Sequence, residues 1–195
     1  VECRVAGHLH GPEQPVHYVE NTLINALFGL LCWSAIFAPL PGAFFHPYQS
    51  GPADLLDEDF YLRRSELFDA CLQQLDDGRY TDTRHAAYVA KFGVQSPFVA
   101  WNCLSRSLLD EALHCLPPAH LKVWFRRLLQ DIKANRTGMP DLIQFWPAQK
   151  TYRMIEVKGP GDRLQDNQLR WLTLCEQHNM PVTVCYVQWQ DVAHA

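Results

Sequence analysis

Asp141, Glu156 and Lys158 are the residues of this 195-residue chain whose types and spacing could do chemistry. Asp141 closes Gly138-Met139-Pro140-Asp141 at the start of one apolar run, and Glu156 and Lys158 flank Val157 in the next. Carboxylate oxygens suit hard divalent cations, and an ammonium beside them can stabilise negative charge as it develops. Two acids and a lysine converging at one point would make a site for metal-assisted hydrolysis.

The elements around these residues must bring them together. Leu142–Trp146 and Tyr152–Lys158 read as paired strands by their β-branched and aromatic content, with Pro147-Ala148-Gln149-Lys150-Thr151 as the turn. A turn centred near Gln149 places Asp141 opposite Glu156 or Val157. The side-chain period of two then sets Glu156 and Lys158 on one face, and Ile155 and Val157 on the other. A helix follows, with Asp162 as its expected N-cap and an end near His178-Asn179, ahead of Pro181. Its inward stripe is Leu164, Gln168, Trp171 or Leu172, and Cys175. Gln168 is thus polar on a packed face and needs a partner: it either tilts to the surface or is aimed at the acids. Val182 to Trp189 reads as a closing strand.

Upstream, the pattern is mostly helical. Residues 1–17, with Gly11, Pro12 and Pro15, read as a leader or truncated linker, and the domain proper is expected over 18–190. Leu23 to Leu40 carries no charge. A helix broken at Pro39 would reach only about 25 Å, short of the roughly 30 Å of a bilayer core, so the run reads as a buried helix, from about Val19 to Phe37. Pro39 to Pro52 is turn-rich. A helix is expected over Asp57–Asp76, two more over 81–116 around Pro97, and another opening at Pro117 with Trp124, Phe125, Leu128, Leu129 and Ile132 at helical spacing. Residues 57–134 are therefore a largely helical insertion, and 138–190 the sheet and helix that carry the chemistry.

Composition narrows the function class. Hydrophobic residues make up 48% and charged residues 19%, which fits a globular chain and argues against disorder. The formal charge of −4 gives no overall basic signature of a nucleic-acid binder, although an acidic metal site would offset basic residues placed elsewhere. The seven cysteines are scattered without a C-x-x-C pair, which disfavours zinc and reads as free thiols in a reducing compartment. No signal peptide is visible after Val1, and the chain reads as a piece of a longer protein.

Met139-Pro140-Asp141, then Glu156-Val157-Lys158, then a helix with Gln168 and Trp171, resemble the PD-(D/E)-X-K nuclease superfamily. Ile155-Glu156-Val157-Lys158-Gly159-Pro160-Gly161-Asp162-Arg163-Leu164 with Gln168 resembles its VRR-NUC family, and within it the nuclease domains of the Fanconi-associated structure-specific nucleases. Upstream, Glu20 with Leu27-Phe28-Gly29-Leu30-Leu31-Cys32-Trp33 is similar to that family's first catalytic helix. Phe44 with Pro47-Tyr48-Gln49, Pro52 and Asp54-Leu55 is similar to its next block. Ser34 and Asn167 depart from the pattern, leaving Lys133 and Arg136 as candidates to grip a 5′ phosphate.

The resemblance implies an α/β fold with a restriction-endonuclease-like core: helix, mixed sheet, helix, strand. It implies Mg²⁺ or Mn²⁺ held by Glu20, Asp141, Glu156 and the Val157 carbonyl, with Lys158 stabilising phosphorane charge and Gln49 and Gln168 orienting water or the lysine. DNA would be gripped mainly by its phosphates, through Lys133, Arg136, Arg163 and Arg170. The implied activity is a structure-selective DNA phosphodiesterase, a 5′ flap endonuclease or 5′–3′ exonuclease, in DNA repair and specifically crosslink repair. A non-catalytic nucleic-acid-binding module, a junction-resolving nuclease and a restriction-type nuclease are the alternatives. Upstream DNA-binding and helical-repeat domains of the same chain are expected as partners, with no membrane. The expected location is the bacterial cytoplasm at the nucleoid, or the nucleus of a eukaryote.

Overall fold

The computed structural model describes residues 1–189; the domain boundary expected at residue 190 lies outside them. In chain order the elements are α1 (Glu2–Leu9), β1 (Val16–Tyr18), α2 (Leu23–Leu31), α3 (Trp33–Ile36), α4 (Ser65–Asp77), α5 (Tyr80–Lys91), α6 (Arg106–Cys115), α7 (Pro118–Gln130), α8 (Ile132–Asn135), β2 (Leu142–Trp146), β3 (Thr151–Lys158), α9 (Asp166–Gln177) and β4 (Val182–Tyr186). They form two compact units. One comprises Val1–Glu20 and the chain from Thr137; the other comprises Asn21–Arg136.

The first unit is a mixed sheet in the order β1-β2-β3-β4. β1 and β3 both run antiparallel to β2, whereas β4 lies parallel to β3. A parallel partner needs a crossover, which α9 supplies. Leu142 pairs with Ile155 and Gln144 with Arg153, so the side-chain alternation of β3 divides the sheet as the sequence implies. On one face Val16, Leu142, Ile155 and Val157 form a buried cluster packed by Val5, Ala6 and Leu9 of α1. On the other stand Glu156 and Lys158, where α9 lays Gln168 against them.

Residues 1–17 are not an irregular leader: they supply α1 and the edge strand β1. Gly11, Pro12 and Pro15 mark only the turn between those elements, closed by a bridge between Gly11 and Gln14. An eight-residue helix has little stability of its own, and this one depends on burying its apolar stripe. The Gln144 Nε2 group also donates to the Leu9 carbonyl at 3.1 Å, and the Val16 N–H to His10 Nδ1 at 3.1 Å.

Three further boundaries differ from expectation. The helix expected from Val19 starts at Leu23 and is interrupted at Cys32, because residues 16–18 are captured by β2 and Asn21 takes a left-handed turn at φ 54°. α9 starts at Asp166 rather than after Asp162, whose carboxylate instead accepts the Gly159 N–H at 2.9 Å. β4 ends at Tyr186 rather than Trp189, with one more bond from Val187 N–H to the Lys158 carbonyl at 2.8 Å.

In the second unit all nine residues of α2 are buried. Phe28 packs there against Phe68, Phe98 and Phe125. Gly29 leaves no room for a side chain, since a Cβ would come within 2.8 Å of Phe98. The helix expected over Asp57–Asp76 is a 3-10 turn at Leu62–Arg64 followed by α4. Buried Asp54 anchors that turn through Arg63 and Arg64 at 2.6 and 2.7 Å. Asp131 breaks α7 and caps α8, so Ile132 begins a new helix. No described helix is long and apolar enough to cross a membrane.

Candidate active site

Asp141 sits where the chain enters β2. Gly138, at φ 88°, brings this loop so close to the start of α9 that a Cβ would fall 2.6 Å from the Asn167 backbone carbon. The loop therefore sets the spacing between Asp141 and α9. The backbone of Asp141 is fixed by its carbonyl, which accepts the Val19 N–H at 2.8 Å. Its side chain is fixed by Oδ2, which accepts the Val157 N–H at 2.8 Å. The antiparallel register carries it opposite Glu156.

Glu156, Lys158 and Gln168 form a closed triangle. Lys158 Nζ lies 2.8 Å from Glu156 Oε1 and donates to Gln168 Oε1 at 3.0 Å. Gln168 Nε2 completes it by donating to Glu156 Oε1 at 2.6 Å. Gln168 Oε1 also accepts the Gln165 N–H at 2.9 Å, as the N3 half of a capping box. One side chain thus starts the helix and joins the acid to the lysine. Gln165 is the true N-cap, and Trp171, rather than Leu172, is the tryptophan-or-leucine position buried beside Cys175. Trp171 donates its indole N–H to the Thr137 carbonyl at 3.1 Å.

The charges at this site are unbalanced. Burial pushes the Glu156 carboxyl up to about 7; the Lys158 ammonium pulls it down, and Asp141 and Glu20 add to the rise. Burial also raises the Asp141 carboxyl. The Val157 N–H opposes that shift, and the nearby Glu20 and Glu2 reinforce it. Glu156 Oε2 is buried without a hydrogen-bond partner. An orphaned carboxylate oxygen beside a second destabilised acid is the donor set that a divalent cation completes.

Among the described residues no three His, Cys, Asp or Glu side chains converge into a ready-made metal cage. The fit to a divalent cation therefore rests on the two acids Asp141 and Glu156.

The other residues singled out from sequence lie as follows. Glu20 follows β1 in the same unit as the acids, and it accepts a hydrogen bond from the Tyr18 hydroxyl. Arg163 and Arg170 are exposed at and before α9 in that unit. Gln49, Lys133 and Arg136 belong to the second unit. The Gln49 amide staples its own loop, donating to the Ala43 and Gly51 carbonyls at 2.7 Å each and accepting the Phe45 N–H at 3.1 Å. Sequence reasoning passed over Tyr18 and α1. The spacing Tyr18-x-Glu20 was the available signal, since i and i+2 share a strand face.

Comparison with known proteins supplies independent findings. The family model described as the VRR-NUC domain matches residues 76–189. A Fanconi-associated nuclease 1 homolog from Pseudomonas aeruginosa is 65% identical over 189 residues, covering 97% of this chain and 34% of that protein. A homolog from Arabidopsis thaliana is 31% identical over 182 residues, covering 91% of this chain and 20% of that protein. A crystal structure of paFAN1 bound to DNA with a 2-nucleotide 5′ flap and a gap superposes with a TM-score of 0.96 at 64% identity, covering 97% of this chain and 35% of that one. The fold is thus restriction-endonuclease-like, and the chain spans about a third of the length of the bacterial relative.

Proposed function

The chain belongs to the VRR-NUC family of PD-(D/E)-X-K nucleases, and on that premise we propose that it is the catalytic part of a structure-selective DNA phosphodiesterase acting on 5′ flaps in DNA repair, specifically interstrand crosslink repair. The observation that carries the reading is the buried Glu156–Lys158–Gln168 triangle beside Asp141, with Glu156 Oε2 left unpartnered. The substrate class is suggested by a similar protein, paFAN1, solved with 1-nucleotide and 2-nucleotide 5′ flap DNA. A repair enzyme of this kind works at the chromosome, in the bacterial nucleoid or the eukaryotic nucleus. DNA-binding and helical-repeat domains of the same full-length protein would supply most of its grip.

Asp141, Glu156, the Val157 carbonyl and Glu20 would hold Mg²⁺ or Mn²⁺. When bound, the ion supplies Lewis acidity at the scissile phosphate and acidifies the attacking water. Lys158, held within hydrogen-bond reach of both Glu156 and Gln168, presents its ammonium to the charge that develops on the phosphoryl oxygens. Gln168 fixes the orientation of Lys158 and Glu156 through its two amide ends. Gln49 would serve as an orienting residue, and Lys133, Arg136, Arg163 and Arg170 as phosphate contacts.

The test is cleavage of labelled flap, nicked, forked and four-way-junction DNA by the full-length protein with Mg²⁺ or Mn²⁺. Flaps should be cut preferentially. Asp141→Ala should abolish cleavage while leaving the circular-dichroism spectrum intact. Failure of the intact protein to cut any of these substrates would overturn the reading.

A further inference from the structure

The loop that Gln49 closes presents aromatic rings to solvent. Tyr48 is 88% exposed and Phe45 76%, the two highest values among the large apolar side chains described. The loop that carries them is not slack, because the three Gln49 amide bonds tie it to Ala43, Phe45 and Gly51. With Phe37, Phe44 and Val94, these two rings line an open groove of about 940 Å³, at the upper end of the range for ligand sites. Behind the groove the rings are stacked. Phe37 lies on Trp33 at 4.9 Å and 24°, and Phe44 on Phe37 at 6.0 Å and 21°. Among the described residues the series stops at Phe44, which is only half-buried. All of these residues belong to the second unit.

The charge around the groove is one-sided. The chain has 21 Asp and Glu residues, yet none lines it. The Lys91 ammonium lies 5.9 Å from the centre of the Trp33 ring in the stack behind. His46 and Gln95, both exposed, add polar groups to the lining. Open ring faces with polar groups beside them, a cation and no acid suit an unpaired strand of nucleic acid, since every base has a π-face to stack and its phosphates are repelled by carboxylates. We propose that this groove stacks unpaired bases of the DNA substrate, with Tyr48 and Phe45 as the stacking rings and Gln49 as the residue that holds them out. The proposal rests on the reading of the chain as a flap nuclease. Paired bases keep their faces inside the duplex, so a stacking groove favours flapped DNA over a plain nick without reading sequence.

The experiment measures binding to the full-length protein by fluorescence anisotropy, in Ca²⁺ to suppress cutting, for nicked duplexes with a thymine flap, an abasic flap of the same length, or no flap. Tyr48→Ala and Phe45→Ala, both at exposed positions, should keep the wild-type thermal midpoint and each weaken thymine-flap binding by about tenfold. Binding of the abasic-flap and flapless DNA should not change, since neither offers a base to stack. Tyr48→Trp should hold the thymine flap at least as tightly as the wild type. A fluorescent base analogue in the flap should be quenched on binding the wild type, and not on binding the Phe45→Ala/Tyr48→Ala double variant. Equal weakening for all three DNAs overturns the stacking role. So does intact thymine-flap binding by the double variant, and a lowered thermal midpoint alongside it would assign the groove to a protein contact instead. If the wild-type protein cuts no flapped DNA with Mg²⁺ or Mn²⁺, the flap-nuclease reading itself fails and the proposal falls with it.

Discussion

At the scale of single residues, Gln168 joins what would otherwise be three separate groups. Its amide oxygen serves both the Lys158 ammonium and the first turn of α9, and its amide nitrogen reaches Glu156. Removing it leaves a buried acid and a buried lysine with one fewer partner each, and the helix without half of its capping box. Gln168→Ala should therefore cost about 2 kcal/mol of stability and lower metal-dependent cleavage by roughly 10–100-fold. Denaturant unfolding and single-turnover kinetics would check the two effects separately. Gln168→Glu keeps the shape but sets a third carboxylate beside Glu156, and it should not restore activity. A full-rate Gln168→Ala enzyme would show that the triangle is structural only.

At the scale of elements, the site depends on how closely the loop before β2 meets the start of α9. Gly138 is the point of contact: its φ of 88° and the 2.6 Å approach to the Asn167 backbone exclude any side chain. Gly138→Ala should cost at least about 2 kcal/mol, from left-handed backbone strain together with the clash. The cost also has a direction, since relief requires the loop or the helix to shift, which separates Asp141 from Gln168. The variant should lose cleavage even at temperatures where it remains folded, by circular dichroism and flap assay. A stability loss below about 0.5 kcal/mol, the ordinary range for a surface change, would mean the approach is not as close as described. α1 teaches a related lesson. Its apolar residues Val5, Ala6 and Leu9 matter because the sheet offers Val16, Leu142, Ile155 and Val157 to cover.

At the scale of the whole molecule, a chain of net charge −4 with the proposed function would grip a polyanion through local rather than overall charge. Arg163 and Arg170, exposed in the same unit as the acids, are suited to phosphate contact. Arg163→Ala and Arg170→Ala in the full-length protein should each weaken flap binding about equally for every sequence tested. Each should also lower the slope of log Kd against log salt by about one, measured by fluorescence anisotropy in Ca²⁺ to suppress cutting. An unchanged slope would remove that arginine from the DNA interface.

How much was legible follows the range of the interactions. The hairpin of β2 and β3, the alternation that separates Glu156 and Lys158 from Ile155 and Val157, and the polar oddity of Gln168 are local patterns, and the sequence alone determined them. The buried character of α2 was equally readable from its uncharged run. The start of α9 was misplaced because Asp162 looks like a cap until its carboxylate is seen bonded to Gly159. β1 was missed because a three-residue strand has no periodicity to read, and only β2 makes it a strand. For the same reason Glu20 looked like the first turn of a helix, whereas it stands at the end of a strand with Tyr18 on its carboxylate. The residues of the site come from local chemistry that the sequence states outright. Their meeting depends on Gly138 against Asn167 and Val19 against Asp141, contacts between distant segments whose geometry exists only once the sheet has closed.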